Sequence, residues 1–195
     1  MLESAALADP PLLQGHSLGQ TSLVVRINGL AADDLAAAMA LRPWAILLPQ
    51  VASHADIQHL AVKLRVLEAE QGLADGVTRI IIAIDTPAGV LGMHRLRPHP
   101  RLAGMVWDAA RLAAALGLEG QENSPLLEQS KTVAVLAAHA AGIMAIDASP
   151  LPANEAAEAH LGQSILRGFT AAMTGNASLI GPINALFPGR LRHLK

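Results

Sequence analysis

Short apolar runs of strand length alternate along this chain with longer stretches whose apolar residues recur at helical spacing, and that alternation predicts its elements. The most continuous run, Arg79-Ile80-Ile81-Ile82-Ala83-Ile84, stops on Asp85 and is followed by Thr86-Pro87-Ala88-Gly89, where Pro and Gly forbid the strand from continuing. A run that is apolar throughout, rather than at alternate positions, fits a parallel strand covered on both faces. Asp85 therefore stands at a strand's C-terminal tip, the end at which ligands bind in parallel sheets.

Residues 1–20 hold Pro10, Pro11, Gly15 and Gly19 without a sustained period and are expected to form an irregular or partly helical lead-in. Residues 23–29 read as a strand interrupted by Arg26, followed by an Ala-rich helix over 33–41 with Asp33 or Asp34 in its first turn. A second strand, 45–50, is stopped by Pro49; Ser53 then N-caps a helix over 54–71 whose buried stripe is Ile57, Leu60, Ala61, Leu64 and Leu67. After the strand that ends at Asp85, residues 101–108 form a fourth strand that again ends on a carboxylate, Asp108. A short helix over 109–116 is closed by Gly117, a loop spans 120–125, and a long helix over 126–141 has Gly142 at its C-cap. Residues 143–147 are a fifth strand with a third terminal carboxylate, Asp147, separated by Pro150 and Pro152 from a helix over 154–167. Residues 168–174 are a sixth, weaker strand, 175–188 a loop with one helical turn, and 191–195 a tail.

Strands followed by helices with short connections demand parallel pairing and right-handed crossovers. Polar residues fall at several different strand ends (Arg26, Gln50, Asp85, Asp108, Asp147), which suits the catalytic face of a barrel better than one crevice in an open sheet. The expected fold is α/β, a TIM-barrel-like parallel β/α repeat. It is incomplete, since about six strands are recognisable where the closed barrel has eight. Residues 21–190 make one barrel-like domain between the lead-in and the tail.

Composition narrows the function. The chain has 195 residues, 52% hydrophobic and 15% charged, enough for one domain with a sizeable core. A formal net charge of -2, no Lys/Arg cluster and only 2% aromatic residues argue against a nucleic-acid partner. There is no cysteine, hence no disulfide framework or thiolate metal site. Residues 1–13 lack a basic segment and do not read as a signal peptide, and the apolar stretch 133–146 is interrupted by His139 and Gly142, so no membrane span is expected. A cytoplasmic protein is the expectation.

Asp85 and Asp108, at the tips of neighbouring strands, are placed to converge on one divalent ion, since Mg²⁺ is usually held by one or two carboxylates together with waters and substrate oxygens. The competing reading is that each Asp caps the helix after it. Arg26, near its strand end, can bind a carboxylate or stabilise an oxyanion from the barrel mouth, or it can be a structural ion pair with Asp85 or Asp108. His54 and His59 lie five apart, not the four that align ligands on a helix, and read as solvent-facing. His94, His99, Arg95, Arg97 and Arg101 read as a solvated basic patch.

The ordered series Val25-Arg26-Ile27-Asn28, Leu48-Pro49-Gln50-Val51, Ile84-Asp85-Thr86-Pro87-Ala88-Gly89-Val90, Arg101-Leu102 leading to Asp108, and Ala141-Gly142-Ile143-Met144-Ala145-Ile146-Asp147 resembles the citrate lyase beta-subunit-like acyl-CoA lyases of the HpcH/HpaI aldolase superfamily. Gly168-Phe169 and the Asn184 to Pro188 segment echo that family's later elements. The resemblance implies a TIM barrel, often trimeric or hexameric, that binds Mg²⁺ (or Mn²⁺) and cleaves a carbon–carbon bond of an acyl-CoA or oxo-acid by a retro-Claisen or retro-aldol route. It would place the metal on Asp85 and Asp108, make Arg26 the catalytic, substrate-binding arginine, and put Gln50 beside the substrate.

The chain departs from the pattern at several points. The family's metal Glu is Asp85 here, its "LPK" lysine is Gln50, its residues before the metal Asp read Met105-Val106-Trp107, and Lys131 stands where Arg is usual. The first two strands, with their acidic "DLEDAV" element, have no evident counterpart in residues 1–22. A barrel short of strands exposes parallel edges, so a homo-oligomer or a partner subunit covering them is expected. A non-catalytic, truncated homologue acting as a partner subunit or binding module is the alternative to an enzyme.

Overall fold

The computed structural model describes residues 2–3, 22–31, 33–121, 124–152 and 156–187. Its strands are β1 (Leu2–Glu3), β2 (Val24–Arg26), β3 (Ala45–Leu48), β4 (Arg79–Ile84), β5 (Leu102–Trp107), β6 (Met144–Asp147) and β7 (Ala171–Ala172). The helices are α1 (Leu35–Ala40), α2 (His54–Glu70), α3 (Pro87–Gly92), α4 (Ala109–Leu116), α5 (Pro125–Ala140), α6 (Ala156–Leu166) and α7 (Ile180–Leu186). The sheet has 7 strands in the order β1-β2-β3-β4-β5-β6-β7, every neighbouring pair parallel. Spatial order equals chain order, so there is no point at which the winding reverses, as it must in a doubly wound sheet. The fold is a TIM-barrel-like, incomplete parallel β/α repeat, with all six expected strands present.

The sheet buries two different faces, as the pleat's period of two requires. Val25, Ile46, Ile82, Met105 and Trp107 point outward and pack with Ile57, Leu60 and Leu64 of α2, Leu112 of α4 and Leu127 of α5. Ala45, Leu47, Ile81, Ala83, Val106 and Ile146 point inward and pack among themselves. Continuous apolar runs such as Ile80 to Ile84 are explained by this double burial.

Local signals fix the helix starts. The Asp56 carboxylate accepts the backbone N–H groups of Ala52 and Ser53, at 2.9 and 2.8 Å, satisfying donors at the start of α2. Asp108 caps α4 by accepting from Arg111 N–H at 3.1 Å, and Gly117 ends that helix at φ +67°.

Three expectations need correction. Residues 87–89 do more than stop a strand: Pro87 opens α3, for which Thr86 is the N-cap, its side chain accepting from Gly89 N–H. Pro at the first helical position loses no hydrogen bond, so the same residue both ends the strand and begins the helix. Gly92 closes α3 against the segment before α2, where a Cβ would lie 2.1 Å from the Ala52 carbonyl oxygen. Within the expected loop, residues 175–187 are more helical than expected, with a 3₁₀ turn at Ala177–Leu179 running into α7; Asn176 caps the turn and Pro182 is tolerated in α7's first turn. The lead-in is not wholly irregular either. β1 pairs with β2 in the register Leu2↔Val25 and Glu3↔Arg26, so a strand does precede the one that carries Arg26. The remainder of the lead-in and the expected tail, 191–195, lie outside the described residues.

Candidate active site at the strand tips

Because side chains alternate along each strand, the outward positions Val25, Ile84 and Trp107 make their neighbours Arg26, Asp85 and Asp108 inward-facing. Asp147 has the opposite parity: its neighbour Ile146 faces inward, so Asp147 turns outward into the helix layer. Of the five strand-end residues singled out from sequence, the fold thus brings Arg26, Asp85 and Asp108 together with the backbone of Gln50 and sends Asp147 elsewhere.

Arg26 joins the two carboxylates. Its Nη2 lies 3.4 Å from Asp85 Oδ2 and its Nη1 3.4 Å from Asp108 Oδ2. All three residues are buried, with exposures of 7%, 4% and 7% for Arg26, Asp85 and Asp108. Asp85 Oδ1 accepts a 2.8 Å hydrogen bond from the backbone N–H of Gln50. Gln50 adopts φ +56°, a left-handed conformation that a non-glycine residue holds only at some cost. The strand stop at Pro49 therefore serves a second purpose, turning a backbone donor onto Asp85, while the exposed Gln50 side chain stands at the mouth. Arg111 Nε reaches Asp108 from the solvent side at 3.4 Å.

The capping reading holds for Asp108 and not for Asp85, because Thr86 rather than Asp85 caps α3. Asp108 is a helix cap, and Arg26 is an ion-pair partner of both carboxylates. Yet the balance is uneven, since one buried guanidinium faces two buried carboxylates. Burial pushes the Asp85 carboxyl above the usual carboxylate range; the Asp108 charge adds to this, while the Gln50 N–H and Arg26 oppose it. The oxygens of both carboxylates are hard donors of the kind Mg²⁺ prefers, and one or two carboxylates suffice where waters and substrate complete the shell. Among the described residues no group of three or more His, Asp or Glu side chains converges as a metal cage.

The basic patch expected around residues 94–101 is not uniformly solvated. Arg101 is 5% exposed and forms two parallel bonds to Glu68, Nη1 to Oε1 at 2.8 Å and Nη2 to Oε2 at 2.7 Å. His59 is exposed as expected, but His54 is half-buried with its ring 6.2 Å from that of His99. Glu68 continues the buried spacing of Ile57, Leu60 and Leu64 in α2, and a carboxylate at that spacing is the signal for a buried cationic partner. A cavity of about 730 Å³ opens at the N-terminal ends of the strands, lined by Trp44, Arg79, His99 and Leu102 among others. It contains neither carboxylate and lies at the opposite end from Asp85 and Asp108.

A parallel β/α barrel with an arginine and two carboxylates on the inner face of its strand tips defines a class of barrel proteins whose chemistry is organised at that end. The model of the HpcH/HpaI aldolase/citrate lyase family matches residues 6–169, and the chain belongs to that family. It is 27% identical over 139 residues to a (3S)-malyl-CoA thioesterase of Cereibacter sphaeroides, a match covering 69% of this chain and 45% of that protein. The chain thus matches less than half the length of this curated relative. Among solved structures, RipC from Yersinia pestis aligns with TM-score 0.69 and 27% identity over 86% of this chain and 77% of that one. A citrate lyase beta subunit from M. tuberculosis, complexed with oxaloacetate and magnesium, aligns with TM-score 0.67 and 22% identity over 85% and 72% of the two chains, a likeness of fold. Among the described residues no helix is long and apolar enough to cross a membrane.

Proposed function

We propose that this chain is a divergent Mg²⁺-dependent (or Mn²⁺-dependent) carbon–carbon lyase acting on an acyl-CoA or oxo-acid. The observation that carries the reading is the pair of buried carboxylates, Asp85 and Asp108, sharing one buried guanidinium at the strand tips. Asp85 and Asp108 would hold the ion; when bound, it supplies Lewis-acid stabilisation of negative charge on a substrate oxygen. Arg26 binds the substrate's carboxylate or carbonyl oxygen and stabilises charge that develops there, an interaction strengthened by burial. The Gln50 backbone N–H holds Asp85 in place, and its side chain contacts substrate at the mouth. In the reaction a β-hydroxyl loses its proton and becomes a carbonyl. The bond between the α- and β-carbons breaks, and its electron pair passes to the carbon next to the thioester, which is then protonated.

The family membership and the magnesium-bound citrate lyase beta subunit support this reading. A cytoplasmic location and an assembly that covers the β1 and β7 edges belong to the same proposal. One observation favours the alternative of a non-catalytic partner subunit or binding module: Asp108 already serves as the cap of α4 and Asp85 as a backbone acceptor.

Incubation with (3S)-malyl-CoA and Mg²⁺, following acetyl-CoA and glyoxylate separately from free CoA, decides between these. The lyase reading predicts acetyl-CoA and glyoxylate in equal amounts. Release of malate and free CoA alone would replace it with thioester hydrolysis, and absence of turnover by protein that binds Mg²⁺ would leave the binding module.

A further inference from the structure

Lys131 is a buried cation that has an ion pair but, among the described residues, no hydrogen bond. It projects from α5, is 6% exposed, and its ammonium lies over the Trp107 ring at 4.7 Å and near Phe169 at 5.9 Å. Its nearest carboxylate, Asp147 Oδ2, is 3.7 Å away, beyond hydrogen-bond distance. Asp147 is meanwhile satisfied by neutral donors: Oδ1 accepts from Ser149 N–H at 2.9 Å and from the Ser149 hydroxyl, and Oδ2 accepts from the Ser164 hydroxyl at 2.5 Å. A lysine kept only to neutralise Asp147 would occupy one of those acceptor sites itself.

The ammonium instead faces a cavity of about 420 Å³ between α5, α6 and the tip of β6, within the range of small-molecule pockets. One wall is apolar, made by Trp107, Ala109, Pro150, Pro152 and Ala159. At the rim Glu128 and Arg167 pair with one another at 2.5 Å, while Lys131, beside the buried Asp147, is a cavity-lining cation with donors not used in hydrogen bonds among the described residues. Trp107 and Asp147 both point outward from the sheet, so this cavity lies in the helix layer, across the sheet from the inward-facing Asp85 and Asp108.

From the Lys131 ammonium, which ion-pairs with Asp147 at 3.7 Å but makes no hydrogen bond among the described residues, and the Pro/Ala wall of the same cavity, we propose that this cavity is a second ligand site that binds a small organic acid, its carboxylate on Lys131 and its hydrocarbon part on Pro150, Pro152 and Ala159. Trp107 reports occupancy directly, and Trp44→Phe leaves it as the single tryptophan. Titration of that protein with acetate, butyrate, benzoate and inorganic phosphate is expected to change Trp107 emission saturably, with affinity rising from acetate to butyrate and benzoate. Lys131→Met is expected to weaken butyrate binding at least tenfold, with Lys131→Arg restoring part of it. Ala159→Trp, at an exposed position on the rim, blocks the cavity without removing a buried group, and its occupancy is read by calorimetry. Asp108→Asn is expected to leave butyrate binding intact, which separates this site from the one at the strand tips. Butyrate binding unchanged in both Lys131→Met and Ala159→Trp would overturn the proposal, as would phosphate binding with no response to the organic acids.

Discussion

Replacing Glu68 by Ala is expected to lower folding stability by about 3–5 kcal/mol, the usual loss when one partner of a buried ion pair is removed. Glu68 is fully buried, and its carboxylate accepts four hydrogen bonds, two from Arg101 and one each from Gly76 and Thr78 N–H at 3.0 and 2.9 Å. Its loss leaves the buried Arg101 guanidinium with only the Asp75 carboxylate and the Thr78 carbonyl, and strands two backbone donors, where the end of α2, the following loop and the start of β5 meet. Burial by itself would raise this carboxyl, but the Arg101 bonds and the two N–H groups outweigh it and hold the pKa at about 2 instead of 4.5. A depressed carboxyl contributes stability above its unfolded pKa and loses it as pH falls through the folded value. The contribution, on the order of 3 kcal/mol, is therefore complete above about pH 5 and lost toward pH 2. Urea unfolding of wild type and Glu68→Ala between pH 2 and 7 checks both points, and a difference that did not shrink on acidification would contradict them.

Arg26→Met is expected to have the largest effect on function. In the lyase reading it removes the group that meets developing charge, at a cost of about 10²–10³ in kcat. It also leaves Asp85 and Asp108 buried side by side without their shared cation, which costs about 3–5 kcal/mol of stability. The two losses separate in the presence of Mg²⁺. A divalent ion on the two carboxylates offsets their repulsion, so Mg²⁺ is expected to raise the melting temperature of Arg26→Met by more than that of wild type while turnover stays lost. Thermal unfolding with and without Mg²⁺, beside the cleavage assay, tests this; equal Mg²⁺ shifts in the two proteins would count against an ion at Asp85 and Asp108.

The strand tips were legible because an apolar run that ends on a charged residue is a local signal. Parity then follows from the pleat, and it sorts Asp85 and Asp108 from Asp147 once the inward and outward neighbours are known. The register of the strands, which the sequence leaves open, is what makes that sorting possible. Arg101 was misread for the same kind of reason: a cation among other cations looks solvated until Glu68, distant in sequence, is brought beside it. α3 was hidden because Pro87 and Gly89 are equally good signals for ending a strand and for opening a helix. β1 was missed because a two-residue strand carries no periodicity; only pairing with β2 defines it. Gln50 has a second role that no side-chain pattern signals, since its backbone N–H holds Asp85.

The claim on which the enzyme reading turns is that Asp85 and Asp108 hold a divalent ion, and isothermal calorimetry of Mg²⁺ and Mn²⁺ on the full chain tests it most directly. The informative variants are Asp85→Asn and Asp108→Asn, because an amide oxygen can still accept from Gln50 N–H or from Arg111 N–H, so the Asp85 contact and the cap of α4 survive while the charge is lost. The expected result is one ion bound per wild-type chain, with binding lost in each variant. Absence of binding to the wild type, or binding that persists unchanged in both variants, would contradict it.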